Sequence, residues 1–343
     1  MQKKACLPYY HPSTVMLVDD NARFLDSFVL SLPAELASRS FYNPASALDW
    51  INHHPHRPTL DQRCLSLLSS SPASNTIRLD MALIEEEISD PTRFSDISVL
   101  VVDYDMPEMD GLALCAGIDN PRIRKILLTS IGDEKVAVNA FNEGLIDRYI
   151  KKTDPDVSNK VSSAISELQR RYFRDLSRWI HTALTLKYPD FLSDPAFVAA
   201  FEALSAQHDI VEYYFVDEPS GFLMVSRNGA LFRLLVTTEQ QLEQSLFAVK
   251  RWQPPAWVLD HLRQHKQLLW LWETPDDNDS EPFHWQDYLH PATPVAGQQR
   301  WYLALVEEPP ADIGYDSTLS SYRAYLTVLD ESPPAPPEPS FHR

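Results

Sequence analysis

The alternation of apolar and polar positions predicts short strands and helices through the first half of the chain. "TVMLVDD" is an apolar run closed by two acids and reads as a buried strand, Val15 to Val18. In "NARFLDSFVLSLP", Phe24, Phe28, Val29 and Leu32 share a helical stripe that stops before Pro33. "SRSFYN" predicts a second strand, and "PASALDWINHH" a helix with Pro44 in its first turn, where its missing N–H costs nothing. "ISVLVVD" is continuous and β-branched, the pattern of a strand buried on both faces. A helix at "GLALCAGI" follows, then a strand at "KILLTS". A helix at "DEKVAVNAFNEG", ended by Gly144, precedes a last strand at "DRYIKK". Strand alternating with helix predicts an α/β domain, residues 13–155, built on a doubly wound, five-stranded parallel sheet.

Residues 54–95 break the alternation and read as an insertion. Its "SLLSSSPASNT" is Ser-rich and loop-like, while Ile77, Met81, Ile84 and Ile88 predict a helix. From Asp154, with Pro155 in the first turn, Val161, Ile165, Leu168, Tyr172, Leu176 and Ile180 form one long stripe. This predicts a connector helix over 156–188, longer than an ordinary helix. Residues 190–330 then predict a second, α+β domain with an antiparallel sheet. Its helices lie at "SDPAFVAAFEALSAQ", "EQQLEQSLFAVKRW" and "PAWVLDHLRQHK". Its strands lie at "IVEYYFVD", "GFLMVS", "ALFRLLVTT" and "QRWYLALVEE", with a hairpin turn at Arg227–Gly229. The Pro-rich tail, 331–343, predicts disorder.

Composition narrows the functional classes. A length of 343 residues suits two domains, and 44% apolar residues suffice for two cores. No apolar run is long enough to span a bilayer, and the N-terminus has no secretory pattern. Cys6, Cys64 and Cys115 lie far apart in no metal-ligand spacing, which fits a reducing cytoplasm. A net charge of −18 opposes nucleic acid overall. With only 8 glycines, no glycine-rich phosphate loop exists.

In open parallel sheets, ligands bind beyond the carboxyl ends of the strands. Asp19 and Asp20 follow the first strand, Asp103 ends the third, Thr129 and Ser130 the fourth, and Lys152 the fifth. Crowded carboxylates repel unless a cation joins them, and a hard divalent ion such as Mg²⁺ suits all-oxygen ligands. A carboxylate held there can act as a nucleophile toward phosphorus, with a lysine and a hydroxyl steadying the phosphoryl oxygens.

The acid pair Asp19-Asp20, "DYDMPEMDG" from Asp103, Thr129 and Lys152 together resemble the receiver domain of two-component response regulators, over roughly residues 1–155. The resemblance implies a flavodoxin-like fold, an Mg²⁺ cofactor and a sensor histidine kinase or phosphotransfer protein as partner. It implies that Asp103 is the phosphoacceptor. Asp20 and Asp103 would bind Mg²⁺ directly, Asp19 through water, and Asp105 by its main-chain carbonyl. Thr129 would take one phosphoryl oxygen and Lys152 would pair with the group. Tyr149 would be the aromatic that turns inward on activation.

Three features depart from the family pattern. The insertion widens the spacing between the acid pair and Asp103. Thr153 stands where the family has proline, and a cis peptide before a non-proline residue costs roughly 2.5–4 kcal/mol. Asp105 adds a negative side chain beside the acceptor.

The second domain shows no helix-turn-helix, cyclase, phosphodiesterase or metalloprotease motif. The reading adopted is an output domain that binds a protein or a small ligand. Its tryptophans (Trp252, Trp257, Trp270, Trp272, Trp285 and Trp301) supply a core and its rim, or else an aromatic pocket. One alternative is a transcription or RNA-binding regulator using Arg170, Arg171, Arg174 and Arg178, although pairing with Glu167 and Asp175 accounts for those arginines. The other is a regulated enzyme with its site in 190–330. The connector stripe also suits a homodimer.

Overall fold

The structure, a computed structural model, describes residues 5–54, 57–71, 74–130, 134–187, 191–275, 283–310 and 314–331. In chain order the first elements are β1 (Tyr9–Tyr10), β2 (Thr14–Val18), α1 (Ala22–Ser31), β3 (Ser38–Phe41) and α2 (Pro44–His53). Next come α3 (Leu60–Cys64), β4 (Leu65–Ser71), β5 (Ser74–Leu79) and α4 (Ala82–Glu86). They are followed by β6 (Ile97–Asp103), α5 (Gly111–Gly117), β7 (Arg124–Thr129), α6 (Glu134–Asn142), β8 (Arg148–Lys151) and the long α7 (Val157–Lys187). Then α8 (Pro195–Gln207), β9 (Ile210–Val216), β10 (Gly221–Ser226), β11 (Leu231–Thr238), α9 (Glu239–Val249) and α10 (Ala256–Arg263) occur. The last are β12 (Gln267–Leu269), β13 (Leu289–Pro291), β14 (Thr293–Ala296), β15 (Arg300–Glu307), α11 (Ser317–Ser320) and α12 (Tyr322–Glu331).

The chain folds into two compact units. Among the described residues the first comprises 12–59, 91–176 and 324–331; the second comprises 5–11, 60–90 and 177–323. The first is the expected parallel sheet, in the order β3-β2-β6-β7-β8. Central strands β2 and β6 are buried throughout. Because side chains alternate along a strand, consecutive residues serve opposite faces. Met16, Val18, Leu100, Val102 and Leu127 pack under α2, α5 and α6. Val15, Leu17, Val99, Val101 and Leu128 pack under Leu25 and Phe28 of α1 and under Val161, Ile165 and Leu168 of α7. Full burial of each such aliphatic side chain contributes about 1.5–3 kcal/mol.

The second unit holds an antiparallel sheet in the order β1-β9-β10-β11-β15-β14. One face carries an aromatic cluster in which Phe222 meets Phe197 and Phe201 of α8, and Phe191 meets Trp301. On the other, Leu235, Tyr302, Ala304 and Val306 pack against Leu242 and Leu268. Asp194 joins helix to sheet. It caps α8 by accepting from Ala196 N at 2.9 Å, and it also accepts from Gln298 N at 2.7 Å and Trp301 Nε1 at 2.8 Å. Gly297 lies so close to this carboxylate that a Cβ there would overlap it.

The insertion departs from expectation. The Ser-rich segment and its continuation form a hairpin, β4 paired with β5 from Leu65↔Leu79 to Ser71↔Ser74, where a loop and a helix were expected. The Asn75–Leu79 stretch alternates with period two, and Asp80 separates strand from helix, its side chain accepting from Ala82 N at 3.3 Å. Helix is confined to α4 and short 3₁₀ turns. Residues 60–90 group with the second unit, and so do residues 1–11, whose β1 pairs with β9. Conversely, the chain from 324 groups with the first unit: the Tyr325 hydroxyl lies 2.7 Å from Thr14 Oγ1 and its ring stacks near Phe94. Of the tail expected to be disordered, 331–343, Glu331 closes α12 and the rest lies outside the described residues.

Burial raises the affinity of Asp194 for a proton, but the donors of Trp301, Gln298, Ala196 and Phe197 outweigh it and hold the carboxyl below the usual range. Its stabilising contribution is therefore present above the unfolded carboxylate pKa, about 3.9, and is lost as pH falls through the lower folded value. Asp194→Ala should cost about 2–4 kcal/mol at pH 7, since hydrogen bonds to a charged group are the strong ones. In chemical denaturation the gap between wild type and variant should shrink as pH drops below about 4.

Candidate functional site

Strands β2 and β6 are parallel neighbours, with Val18 beside Val102, so the acids after each arrive side by side at the carboxyl rim. This is also where the strand order reverses, between β3-β2 on one side and β6-β7-β8 on the other. Asp19 and Asp103 are buried and Asp20 is exposed. One carboxylate oxygen from each of the three lies within 4.8 Å of the others. Neither member of the acid pair is spent on capping. Asn21 caps α1, accepting from Phe24 N at 3.1 Å, while Asp19 Oδ1 accepts from Asn21 N at 3.0 Å.

Lys152, just past β8, is anchored by its own amide, which donates to Thr129 O at 2.9 Å. Its Nζ lies 2.6 Å from Asp19 Oδ2 and 2.8 Å from Asp103 Oδ2, and 4.6 Å above the ring of Phe24. Burial raises the Asp103 pKa and the Asp19 charge adds to the rise, whereas Lys152 and the Tyr104 amide oppose it. Two buried oxygens, Asp103 Oδ1 and Asp19 Oδ2, have no hydrogen-bond partner, and Asp19 Oδ2 meets Lys152 as an ion pair only. Three carboxylates with an oxygen each in reach of the others, and two buried oxygens without a hydrogen-bond donor, fit a hard divalent cation such as Mg²⁺.

Thr129 ends β7 next to β6: Asp103 pairs with Leu128, and Tyr104 N donates to Leu128 O at 2.9 Å. Its Oγ1 is buried without a hydrogen-bond partner. Tyr149, on β8 opposite Leu127, exposes 38% of its surface. The structure thus gathers Asp19, Asp20, Asp103 and Lys152, sets Thr129 on the adjoining strand end, and leaves Tyr149 outside.

The acids of "DYDMPEMDG" separate by environment. Asp105 and Glu108 are exposed, and Asp110 caps α5 by accepting from Ala113 N at 2.7 Å. Met109 N donates to Pro107 O at 2.8 Å, closing a three-residue turn on Glu108 at φ 68°, a strained conformation for a residue with a Cβ. Gly111 is required by packing, because a Cβ there would overlap the Asp103 carbonyl. Among the described residues the one cis peptide precedes Pro219, so Lys152–Thr153 is trans, as expected without proline.

Sequence reasoning did not single out Phe24 beneath Lys152, although it opens the stripe four residues after Asp20. It also paired the connector acids with the wrong arginines. Glu167 pairs with Arg148 at 2.5 Å, Asp175 with Arg124, and Arg171 with Asp147 at 3.1 Å. These partners come from β7, β8 and the residue before β8, which lie beside the helix.

The solved structure of the Legionella pneumophila response regulator LqsR is similar to this chain. The two are 35% identical, the match covers 96% of this chain and 98% of that one, and the TM-score is 0.75. The chain belongs to the response regulators. An adenylate cyclase from Rhodopirellula baltica (22% identical, 52% of this chain and 99% of that one, TM-score 0.35) is also similar. So is a receiver domain protein from Clostridium thermocellum (17%, 46% and 95%, TM-score 0.32); at these scores neither bears on function. No family model and no curated protein matches the chain.

Two outcomes test this geometry. A raised folded pKa means that the Asp103 contribution is complete below the unfolded carboxylate value and is lost as pH rises through the folded one. Asp103→Asn should therefore stabilise the metal-free regulator at pH 7, with the gain in melting temperature shrinking toward pH 3. Gly111→Ala should destabilise the protein by about 1–3 kcal/mol, because neither backbone segment can yield freely; denaturant titration would measure it.

Proposed function

We propose that this response regulator receives a phosphoryl group on Asp103 from a histidine kinase or phosphotransfer protein and passes the change to its second unit. The observation that carries this reading is the group of Asp19, Asp20, Asp103 and Lys152 at one rim, with buried oxygens left without donors. A carboxylate oxygen of Asp103 attacks phosphorus, and the bond from phosphorus to the donor's histidine nitrogen breaks. The electron pair leaves with the imidazole and a mixed anhydride remains on Asp103. Lys152 swings from Asp103 to a phosphoryl oxygen, and the Thr129 hydroxyl donates to another. The carboxylates of Asp19, Asp20 and Asp103, with the main-chain carbonyl of Asp105, would hold Mg²⁺. When bound, that ion offsets the negative charge gathered at the rim.

Movement of Thr129 toward the phosphoryl group opens space for Tyr149, whose exposed ring then turns inward. Inverting a 1:99 population needs about 5.5 kcal/mol. New charge-assisted hydrogen bonds and one repacked aromatic supply part of it. Helix α7 starts in the first unit and ends in the second, so it connects acceptor to output. The output unit then binds a protein or a small ligand. No helix among the described residues is long and apolar enough to cross a membrane.

Acetyl phosphate with Mg²⁺ should label the wild type, read on phosphate-affinity gels. Asp103→Asn or a chelator should abolish labelling, and Lys152→Ala or Thr129→Ala should slow it about 10²-fold. Equal labelling of Asp103→Asn would end the assignment. Unchanged amide exchange across 126–187 with beryllofluoride would end the proposed coupling.

A further inference from the structure

Lys152 is the cation that meets both buried acids of the rim, and its placement needs a cause. A lysine ammonium is a compact, strongly hydrated charge on a flexible four-carbon stem, so nothing in the side chain itself aims it. Here that side chain is only 15% exposed. Its Nζ lies 2.6 Å from Asp19 Oδ2 and 2.8 Å from Asp103 Oδ2. A third neighbour, the Phe24 ring, has its centre 4.6 Å from the same nitrogen. That is inside the range of about 6 Å over which an aromatic face attracts a cation. The attraction grows where the cation is desolvated, which is its setting here.

Phe24 is itself firmly held. It lies in the first turn of α1, where its amide donates to Asn21 Oδ1 at 3.1 Å, so the cap that follows the acid pair also sets the position of the ring. One turn further on, Phe28 stacks with it at 5.4 Å between centres and 11° between planes. Phe28 is buried in one cluster with Val15, Leu17 and Leu25, so Phe24 rests on the core of the first unit. An aromatic suits this place better than the alternatives. A third carboxylate would hold the ammonium but would add to the charge that opposes an incoming phosphoryl group. An aliphatic side chain would fill the space without attracting the cation. An aromatic face attracts it with no net charge of its own. The ammonium can then exchange Asp103 for a phosphoryl oxygen while the ring still limits where it goes.

We propose that Phe24 is a positioning residue for Lys152: its ring holds the ammonium at the carboxyl rim by cation–π attraction and so sets the rate at which Asp103 takes a phosphoryl group. The rate half of this inference rests on the function proposed above; the placement half does not. The test uses full-length protein with Phe24→Leu, Phe24→Tyr, and mono-, di- and trifluorophenylalanine at position 24, which drain the ring face of negative charge at nearly constant shape. The first measurement is the NMR shift of the Lys152 terminal methylene, without metal or phosphodonor. It should stand apart from ordinary lysines through the ring current in wild type and Phe24→Tyr, and return to the ordinary value in Phe24→Leu. The second is labelling by acetyl phosphate with Mg²⁺. The rate should fall about three- to thirtyfold in Phe24→Leu, the span of a cation–π contact, and be kept in Phe24→Tyr. It should fall stepwise with each added fluorine while the melting temperature stays that of wild type, which a purely packing role would not produce. The fluorinated series keeps the test open if Phe24→Leu fails to fold. A methylene shift unchanged in Phe24→Leu, or a rate that is flat across the fluorine series, would overturn the proposal. Because the shift is read without a phosphodonor, it decides the placement of Lys152 even where Asp103→Asn labels like wild type and the acceptor assignment fails.

Discussion

Carboxylates forced together at the carboxyl rim of the parallel sheet are the constraint on which this molecule depends. Val18 and Val102 are strand neighbours, so Asp19 and Asp103 arrive side by side, and burial keeps water from screening them. Two like charges about 4 Å apart repel by roughly 4 kcal/mol at the effective dielectric of a protein surface, and by more with burial. Lys152 answers that repulsion directly, touching both acids from the end of β8. Much of the fold serves to place this cluster. Two hydrophobic faces hold β2 and β6 in register, Asn21 frees the acid pair from capping, and Gly111 lets α5 start against the Asp103 carbonyl.

The molecule handles buried charge in three ways, and the contrast is informative. Asp194 is matched to donors on helix, turn and indole, and its proton affinity falls. Its complement is complete, so its role is structural. Asp103 lies in a comparably buried place, yet its proton affinity rises and one oxygen lacks a donor. A fold that can satisfy Asp194 leaves one oxygen of Asp103 unsatisfied. Arg233 is intermediate: carbonyls and an indole face solvate the cation without neutralising it.

The parallel sheet was legible because its signals are local. Buried-strand runs end in acids, helical stripes end at Pro33 or Gly144, and "DYDMPEMDG" places Asp103 at a strand end. The meeting of Asp19, Asp20, Asp103 and Lys152 at one rim was legible by position, since the carboxyl ends of parallel strands converge in any register. What was not legible depends on long-range pairing. The strand at Tyr9–Tyr10 is two residues long and finds β9 about two hundred positions away. The hairpin of β4 and β5 was masked by serines, which carry little β signal, and by an isoleucine spacing that mimics a helix. The ammonium-on-ring contact of Lys152 with Phe24 joins opposite ends of the first unit's sequence, and Arg233 reads from sequence as an ordinary polar residue on a strand.

Packing also indicates how a change at the rim would travel. Leu128 precedes Thr129, and Val101 lies two residues before Asp103; both share one cluster with Val161, Ala164, Ile165 and Leu168 of α7. Any shift of the β6 or β7 ends under the proposed function must therefore repack the first turns of that helix, because dense cores do not absorb displacements locally. The helix rises about 1.5 Å per residue and stays hydrogen-bonded to Lys187, so a rotation imposed at Val161 is carried along its length. Tyr149 sits on β8 opposite Leu127, two residues from the pairing of Thr129 with Lys151, so the inward turn proposed for it would bear on the same strand ends. Under the proposed function the rim, the α7 stripe and the tyrosine would form one bistable element, tipped by the charge added at Asp103.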